Sequence, residues 1–224
     1  MRMSLVLSLA TAVAAAVAAL GCGSATTPGP IAPTPTPAAT SSTSTDDVGG
    51  VPAWLRPADA CPADVAAATA VAVDRWAGTC DVDLAGCLRR CEAREPTACY
   101  VAALHVQAGK RDVPLEDALF LRACALGIAS ACTNRAAAIQ VREPDRPGGA
   151  ACATRTFELA CARRDPWGCA MFGFNLAHGT GVETDRARAL AVLPGACVDS
   201  EADPACQAAR GLATMIESGR LDAP

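Results

Sequence analysis

The sequence predicts an all-α protein, a solenoid of helix-turn-helix repeats in which each repeat is stapled by its own disulfide. Three observations carry that expectation. Thirteen cysteines in 224 residues are far above ordinary usage. Two cysteine series share a period: Cys91, Cys124, Cys161 and Cys197 step by 33, 37 and 36 residues, and Cys99, Cys132, Cys169 and Cys206 step by 33, 37 and 37. Alanine is the commonest residue and aromatics are only 4%, so burial of large side chains is a weak source of stability and covalent links must supplement it. A fixed period of this size marks stacked supersecondary units, none of which buries its apolar face alone.

The repeating units span approximately residues 81–110, 111–146, 147–182 and 183–220. Within them the paired cysteines lie 8, 8, 8 and 9 positions apart, in CEAREPTAC, CALGIASAC, CARRDPWGC and CVDSEADPAC. A helix-favouring apolar stretch precedes the first cysteine, as in Leu115 to Ala123 or Arg186 to Leu193. A second follows the other cysteine, as in Tyr100 to Gln107 or Ala170 to Ala177. Between them stand Gly, Pro, Asp or Ser, which form turns. Each unit therefore reads as an antiparallel helix pair. In such a hairpin the last turn of one helix faces the first turn of the next, so Cys91–Cys99, Cys124–Cys132, Cys161–Cys169 and Cys197–Cys206 are expected disulfides. Closing a nine-residue loop removes about 2.6 kcal/mol of unfolded-state entropy in the chain-entropy description. Phe120 and Phe157 each stand four residues before a first cysteine, and both are expected in the core.

The amino terminus has the layout of an export signal. Arg2 supplies a positive charge, Leu5 to Leu20 is apolar but for Ser8 and Thr11, and small residues follow. The run ends in Ala19-Leu20-Gly21-Cys22, which resembles the bacterial lipoprotein box, with Ala19 where that box usually has leucine. The resemblance implies a signal peptide over 1–21, acylation of Cys22, and anchoring in the bacterial envelope at the outer membrane or periplasmic face. Residues 22–57, rich in Pro, Thr and Ser, are expected to be a disordered tether. Trp54 and Leu55 either begin docking on the folded part or are plain linker residues.

The stretch GCAMFGFNLAHGTGVETDRARALAVLPGAC, from Gly168 to Cys197, resembles the Sel-one-like repeat, a relative of the tetratricopeptide repeat. The matching features are Gly173, the turn Gly179-Thr180-Gly181-Val182, Asp185, Ala189 and the closing Ala196-Cys197. The cysteine pairs are similar to those of the secreted, cysteine-rich bacterial branch. The likeness covers residues 81–219. It is weaker in the first two units, whose linking turns at 109–113 and 141–148 lack the Gly-x-Gly-Val pattern. It implies a right-handed α-solenoid, with residues 58–80 as an amino-terminal cap helix that shields the end of the stack. It also implies an alternative activity, because members of that branch have been described as binding or hydrolysing β-lactams.

With Cys22 given to lipid, Cys61, Cys80, Cys87 and Cys152 remain, an even number consistent with two more bridges. A helix over 62–77 would hold its ends about 24 Å apart, which disfavours Cys61 with Cys80. Cys80 with Cys87 is feasible across the turn into the first repeat, nothing places Cys152, and all these pairings stay open. No Cys-x-x-Cys occurs, and His105 and His178 are the only histidines, so neither a metal nor another cofactor is expected. The lone lysine, Lys110, has Gln107 three residues before it, which rules out a Ser-x-x-Lys pair, and Gly-x-Ser-x-Gly is missing. Whether the chain is an enzyme therefore stays uncertain, with no catalytic residue assigned. Trp167 beside Arg163 and Arg164 has the composition of a partner contact, against simple packing on the neighbouring turn. Arg89, Arg90 and Arg94 read as a solvated face. A formal charge of −4 argues against nucleic-acid binding. The expectation is a monomeric, lipid-anchored scaffold that binds an unidentified protein or peptide. The alternatives are binding or weak hydrolysis of β-lactams or peptidoglycan fragments, and a purely structural role.

Overall fold

The computed structural model describes residues 51–73, 83–109 and 112–222. The expected signal peptide, Cys22, the expected tether up to residue 50, Cys80 and Lys110 lie outside the described residues.

All regular elements among the described residues are helical. They are α1 (Pro62–Val65), α2 (Leu84–Glu92), α3 (Pro96–Gly109), α4 (Val113–Ala125), α5 (Ala129–Arg142), α6 (Gly149–Ala162), α7 (Pro166–His178), α8 (Arg186–Val192), and α9 (Pro204–Glu217). A 3-10 turn, Leu193–Cys197, extends α8, and another, Arg220–Asp222, ends the described chain. Aspartates set most of the starts. Asp83, Asp112, Asp165, Asp185 and Asp203 each accept an amide of the first turn of α2, α4, α7, α8 and α9, satisfying donors that lack helical partners. Pro114, Pro166 and Pro204 occupy first-turn positions where a missing N–H costs nothing.

The turns after α2, α4 and α6 share one geometry. Arg94, Gly127 and Arg164 adopt positive φ of 68°, 106° and 65°. Their amides donate to the carbonyls of Cys91, Cys124 and Cys161, and the next amide reaches back to Arg90, Ala123 and Ala160. This is the double closure of a left-handed C-cap. It turns the chain so that cysteines eight positions apart meet: Cys91–Cys99, Cys124–Cys132 and Cys161–Cys169 are disulfides with Cα separations of 4.5, 4.7 and 4.4 Å. The fourth turn is one residue longer. Pro194 breaks the α-helical ladder, the chain tightens into the 3-10 turn, and Cys197–Cys206 closes at 4.5 Å.

Successive helices pack on one another in chain order from α2 to α8, and α9 returns to pack on α7 and the 3-10 turn. Small residues permit close approach. Ala102, Ala103, Ala118 and Ala123 are fully buried between α3 and α4, and a Cβ on Gly173 would lie 2.5 Å from Leu193 Cδ2. The expected core positions hold: Phe120 and Phe157 are both at 0% exposure. Each anchors its own apolar cluster, the first drawing on α2–α5 and the second on α5–α9.

The amino-terminal part differs from expectation. A continuous cap helix over 58–80 does not form in its described portion. Only α1 is helical, and Ala66 leaves the helix at ψ 134°. The reason is visible in Thr69, Val71 and Val73, β-branched residues alternating with alanine, a pattern that favours extended chain. Residues 51–55, expected to belong to a tether, are instead packed: Leu55 is buried at 3% exposure, and Val51 and Trp54 lie against the first cluster. Residues 51–73 thus form a strap laid over the helices. Five disulfides join described cysteines, as expected of a chain that folds in an oxidising, extracytoplasmic compartment.

Candidate functional site

The strap lies against α4, α5 and α6, and most of the polar contacts that hold it are made to its main chain. Near its start the Arg122 guanidinium covers the Trp54 ring at 4.9 Å. The same guanidinium donates from Nε to the Cys91 carbonyl (3.1 Å) and from Nη2 to the Glu92 carbonyl (3.0 Å). Arg135 Nη2 donates to the Ala58 carbonyl at 2.8 Å. Arg146 donates to the carbonyl of Asp59, and Arg163 to that of Ala67. The Ala63 amide donates to Thr156 Oγ1 at 3.2 Å, and the Val71 amide to the Gly127 carbonyl at 2.9 Å. Gly127 is required there, because a Cβ would sit 2.7 Å from the Thr69 carbonyl oxygen. One side-chain ion pair, Arg155 with Asp64 at 3.1 Å, adds a charge contact. A covalent latch completes the attachment: Cys61 is joined to Cys152 in the first turns of α6, with 5.7 Å between their Cα atoms.

Behind the strap a cleft of about 530 Å³ opens beside Asp59, Asp117, Arg135, Glu143 and Arg146. Asp117, Arg135, Glu143 and Arg146 are ion-paired with one another or with Arg142. Arg135, only 2% exposed, faces Glu143 at 2.6 Å and Asp117 at 3.7 Å. Arg142 pairs with Glu116 at 3.2 Å and with Asp117, and Arg146 pairs with Glu143 at 2.9 Å. Burial pushes the Glu116 and Asp117 carboxyls above the usual range, outweighing the attraction of Arg142 on the first and of Arg135 and Arg142 on the second. Glu143 is also penalised by burial, but hydrogen bonds from Arg146 and Arg135 hold it below the usual range. Paired charges at this depth fix geometry more than they add stability. Here they aim Arg135 and Arg146 at the strap carbonyls.

A second polar network stands under the Gly179–Val182 turn. Asn175, fully buried, donates to Thr154 Oγ1 at 2.8 Å and exchanges hydrogen bonds with Gln140. Thr154 in turn donates to the Thr180 carbonyl at 2.7 Å. Gly179 and Gly181 both adopt positive φ there, so the turn is held by its backbone.

Of the remaining sequence candidates, Cys87 is disulfide-bonded, Cys80 lies outside the described residues, and Cys61 with Cys152 is the pairing that spacing left open. Trp167, Arg163 and Arg164 do not make one exposed patch. Trp167 is half-buried against the second cluster, Arg163 is engaged with the strap, and Arg164 is exposed at a left-handed turn position. His178 packs against Phe174 with ring centroids 4.3 Å apart and the rings inclined by 45°. Among the described residues no three metal-ligating side chains converge. Sequence reasoning missed Arg122, Arg135 and Arg146, since an arginine that binds a distant main chain carries the same local signal as a solvated one.

Comparison with protein-family models, with curated proteins and with solved structures finds no match.

Proposed function

We propose that this chain is an exported, lipid-anchored scaffold of the Sel-one-like kind, a right-handed solenoid of four disulfide-stapled helix pairs that binds an extended segment of another protein. One observation carries the reading. The face formed by α4, α5, α6 and the turns after them holds the chain's own strap through its main chain, with arginine donors on the carbonyls of Ala58, Asp59 and Ala67 and acceptors for the amides of Ala63 and Val71. Contacts to the main chain recognise polypeptide as a class and leave side-chain identity to the pockets between them. Stacked helix pairs offer such extended faces.

Export is supported by the disulfides, which persist in oxidising compartments. Anchoring rests on the lipobox-like Cys22 and its Pro/Thr/Ser-rich tether, which would hold the folded part away from the bilayer. No helix among the described residues is long and apolar enough to cross a membrane.

In-cell crosslinking of the full chain followed by mass spectrometry tests the reading. The expected result is a recurrent protein partner whose crosslinks map to α4, α5 and α6. Crosslinks scattered over unrelated proteins would leave the chain a spacer and end the proposal.

A further inference from the structure

We propose that the edge formed by the hairpin turns after α2, α4 and α6 is a docking surface for an acidic polypeptide segment, whose carboxylates are received by Arg94 and Arg164. The inference goes beyond the scaffold reading and stands without it, since it concerns the turns and not the helix faces beneath the strap.

The three turns follow one backbone path and differ in the residue at its left-handed position. In the middle turn that residue is Gly127, and the chain itself covers it. The Val71 amide donates to the Gly127 carbonyl, and a Cβ on Gly127 would lie 2.7 Å from the Thr69 carbonyl oxygen. In the outer turns the residue is Arg94 at φ 68° and Arg164 at φ 65°. Left-handed backbone is unfavourable for a residue with a Cβ, and glycine adopts it freely. Both arginines are exposed, and among the described residues neither side chain has a hydrogen bond or an ion pair. No side-chain contact within the fold compensates for the strain, and strain kept at the surface in two equivalent places points to an outside contact.

The turns lie side by side. Arg122, in the last turn of α4, donates to the Cys91 and Glu92 carbonyls at the end of α2 and so joins the first turn to the second. Ser130 and Thr133, in the first turns of α5, both donate to the Asp165 carboxylate at 2.6 Å and join the second turn to the third. Charge along this edge is mainly positive, in a chain whose net charge is −4. Arg89 is paired with Asp83, and Arg90 with Glu95. Beyond those pairs stand Arg94, Arg122, Arg163 and Arg164 against Glu92 and Asp165, and Asp165 is buried beneath its hydrogen bonds. Burial and the positive charge of Arg94 pull the Arg122 guanidinium below its ordinary value, with Glu92 offsetting part of the effect. Arg94 and Arg122 therefore share one field.

The chemistry selects the partner. A guanidinium presents a planar fork that matches a carboxylate, and an acidic side chain on a polypeptide supplies that group. A bilayer surface fits less well, because binding in the headgroup region draws on Trp, Phe or Leu side chains beside the cations. The exposed large apolar residues are Val65, Val71, Val113 and Val198, with no aromatic or leucine among them.

The test uses the full oxidised chain and a fluorescent glutamate homopolymer of about 12 residues, about 40 Å long when extended. Anisotropy should show binding that weakens as salt rises, and no binding of a glutamine homopolymer of the same length. The Arg94→Gly/Arg164→Gly variant should bind about tenfold more weakly, each arginine supplying about threefold. Its denaturant midpoint should not fall, because glycine relieves the left-handed backbone. The Arg94→Gln/Arg164→Gln variant removes the charge with a Cβ retained and should show the same loss of affinity, so the readout survives if the glycine variant fails to fold. Equal affinity for the two homopolymers or unchanged affinity in the variants would overturn the proposal. So would a lowered midpoint in the glycine variant, since the arginines would then serve the fold. Tighter binding to vesicles of phosphatidylglycerol and phosphatidylcholine than to the glutamate homopolymer, lost in the same variants, would assign the edge to an anionic membrane instead.

Discussion

Two glycines at the same backbone dihedral separate two costs that usually arrive together. Gly181 has φ +68°, and a Cβ there would lie 2.3 Å from the carbonyl carbon and oxygen of Ala150; Gly219 has φ +69° and nothing within 4 Å. Gly219→Ala should lose only the left-handed preference, about 1 kcal/mol. Gly181→Ala should lose that and a further 1–3 kcal/mol or so from overpacking. Denaturant midpoints compare them, and equal losses would show that the turn moves aside freely. Buried carboxyls give a second residue-scale prediction. Glu116 and Asp117 are pushed up chiefly by burial, so the native state holds their protons more tightly than the unfolded chain does. Their contribution to stability is full below the unfolded value of about 4 and is lost as pH rises through the raised native value. Glu143, held low despite its burial, acts in the opposite sense, and its contribution is lost as pH falls through its native value. In Glu116→Gln the share due to Glu116 disappears. Its midpoint should fall less than the wild-type midpoint as pH rises above about 4, and parallel profiles would refute this account.

At the scale of elements, the hairpin is specified twice, by its disulfide and by its turn. The Cys124→Ala/Cys132→Ala variant should lose about 2.6 kcal/mol of loop-closure stabilisation. It should keep its helix content, because the amides of Gly127 and Ile128 still close the left-handed cap on the carbonyls of residues 124 and 123. Circular dichroism with denaturant titration checks both parts, and loss of helix in native buffer would mean that the turn alone does not hold the pair. The same double specification explains what the sequence made readable. A cysteine pair, a turn-forming segment and apolar helical stretches all lie within one short window, so the four pairs Cys91–Cys99, Cys124–Cys132, Cys161–Cys169 and Cys197–Cys206 could be read locally. The strap could not. Its latch spans 91 positions, and its anchors Arg135 and Arg163 meet carbonyls 77 and 96 positions away. The alternation of Thr69, Val71 and Val73 did carry a local signal against helix, which the alanines around it masked.

For the molecule as a whole, the helices contact mainly their neighbours in the chain, and the apolar side chains divide into two clusters that meet at α5. Chains built from neighbour contacts unfold in parts unless something couples distant segments. The strap is that coupling. Leu55 is buried in the first cluster, while the Cys61–Cys152 bond, the Ala63–Thr156 hydrogen bond and the Arg163–Ala67 contact tie the same segment to α6 and the turn after it. The oxidised wild type should therefore unfold in one transition that removes α2–α5 and α6–α9 together. In the Cys61→Ser/Cys152→Ser variant the halves remain joined through α5 and through the packing of α5 on α6. Hydrogen exchange resolved by peptide should then give α9 and α3 different opening free energies, where the wild type gives one. Four hairpin bridges remain in that variant, so any splitting of the transition reports the strap and not a general loss of covalent support. A single shared opening free energy in the variant would place the coupling in the α5–α6 packing instead, and the strap would then be a bound ligand with no part in cooperativity.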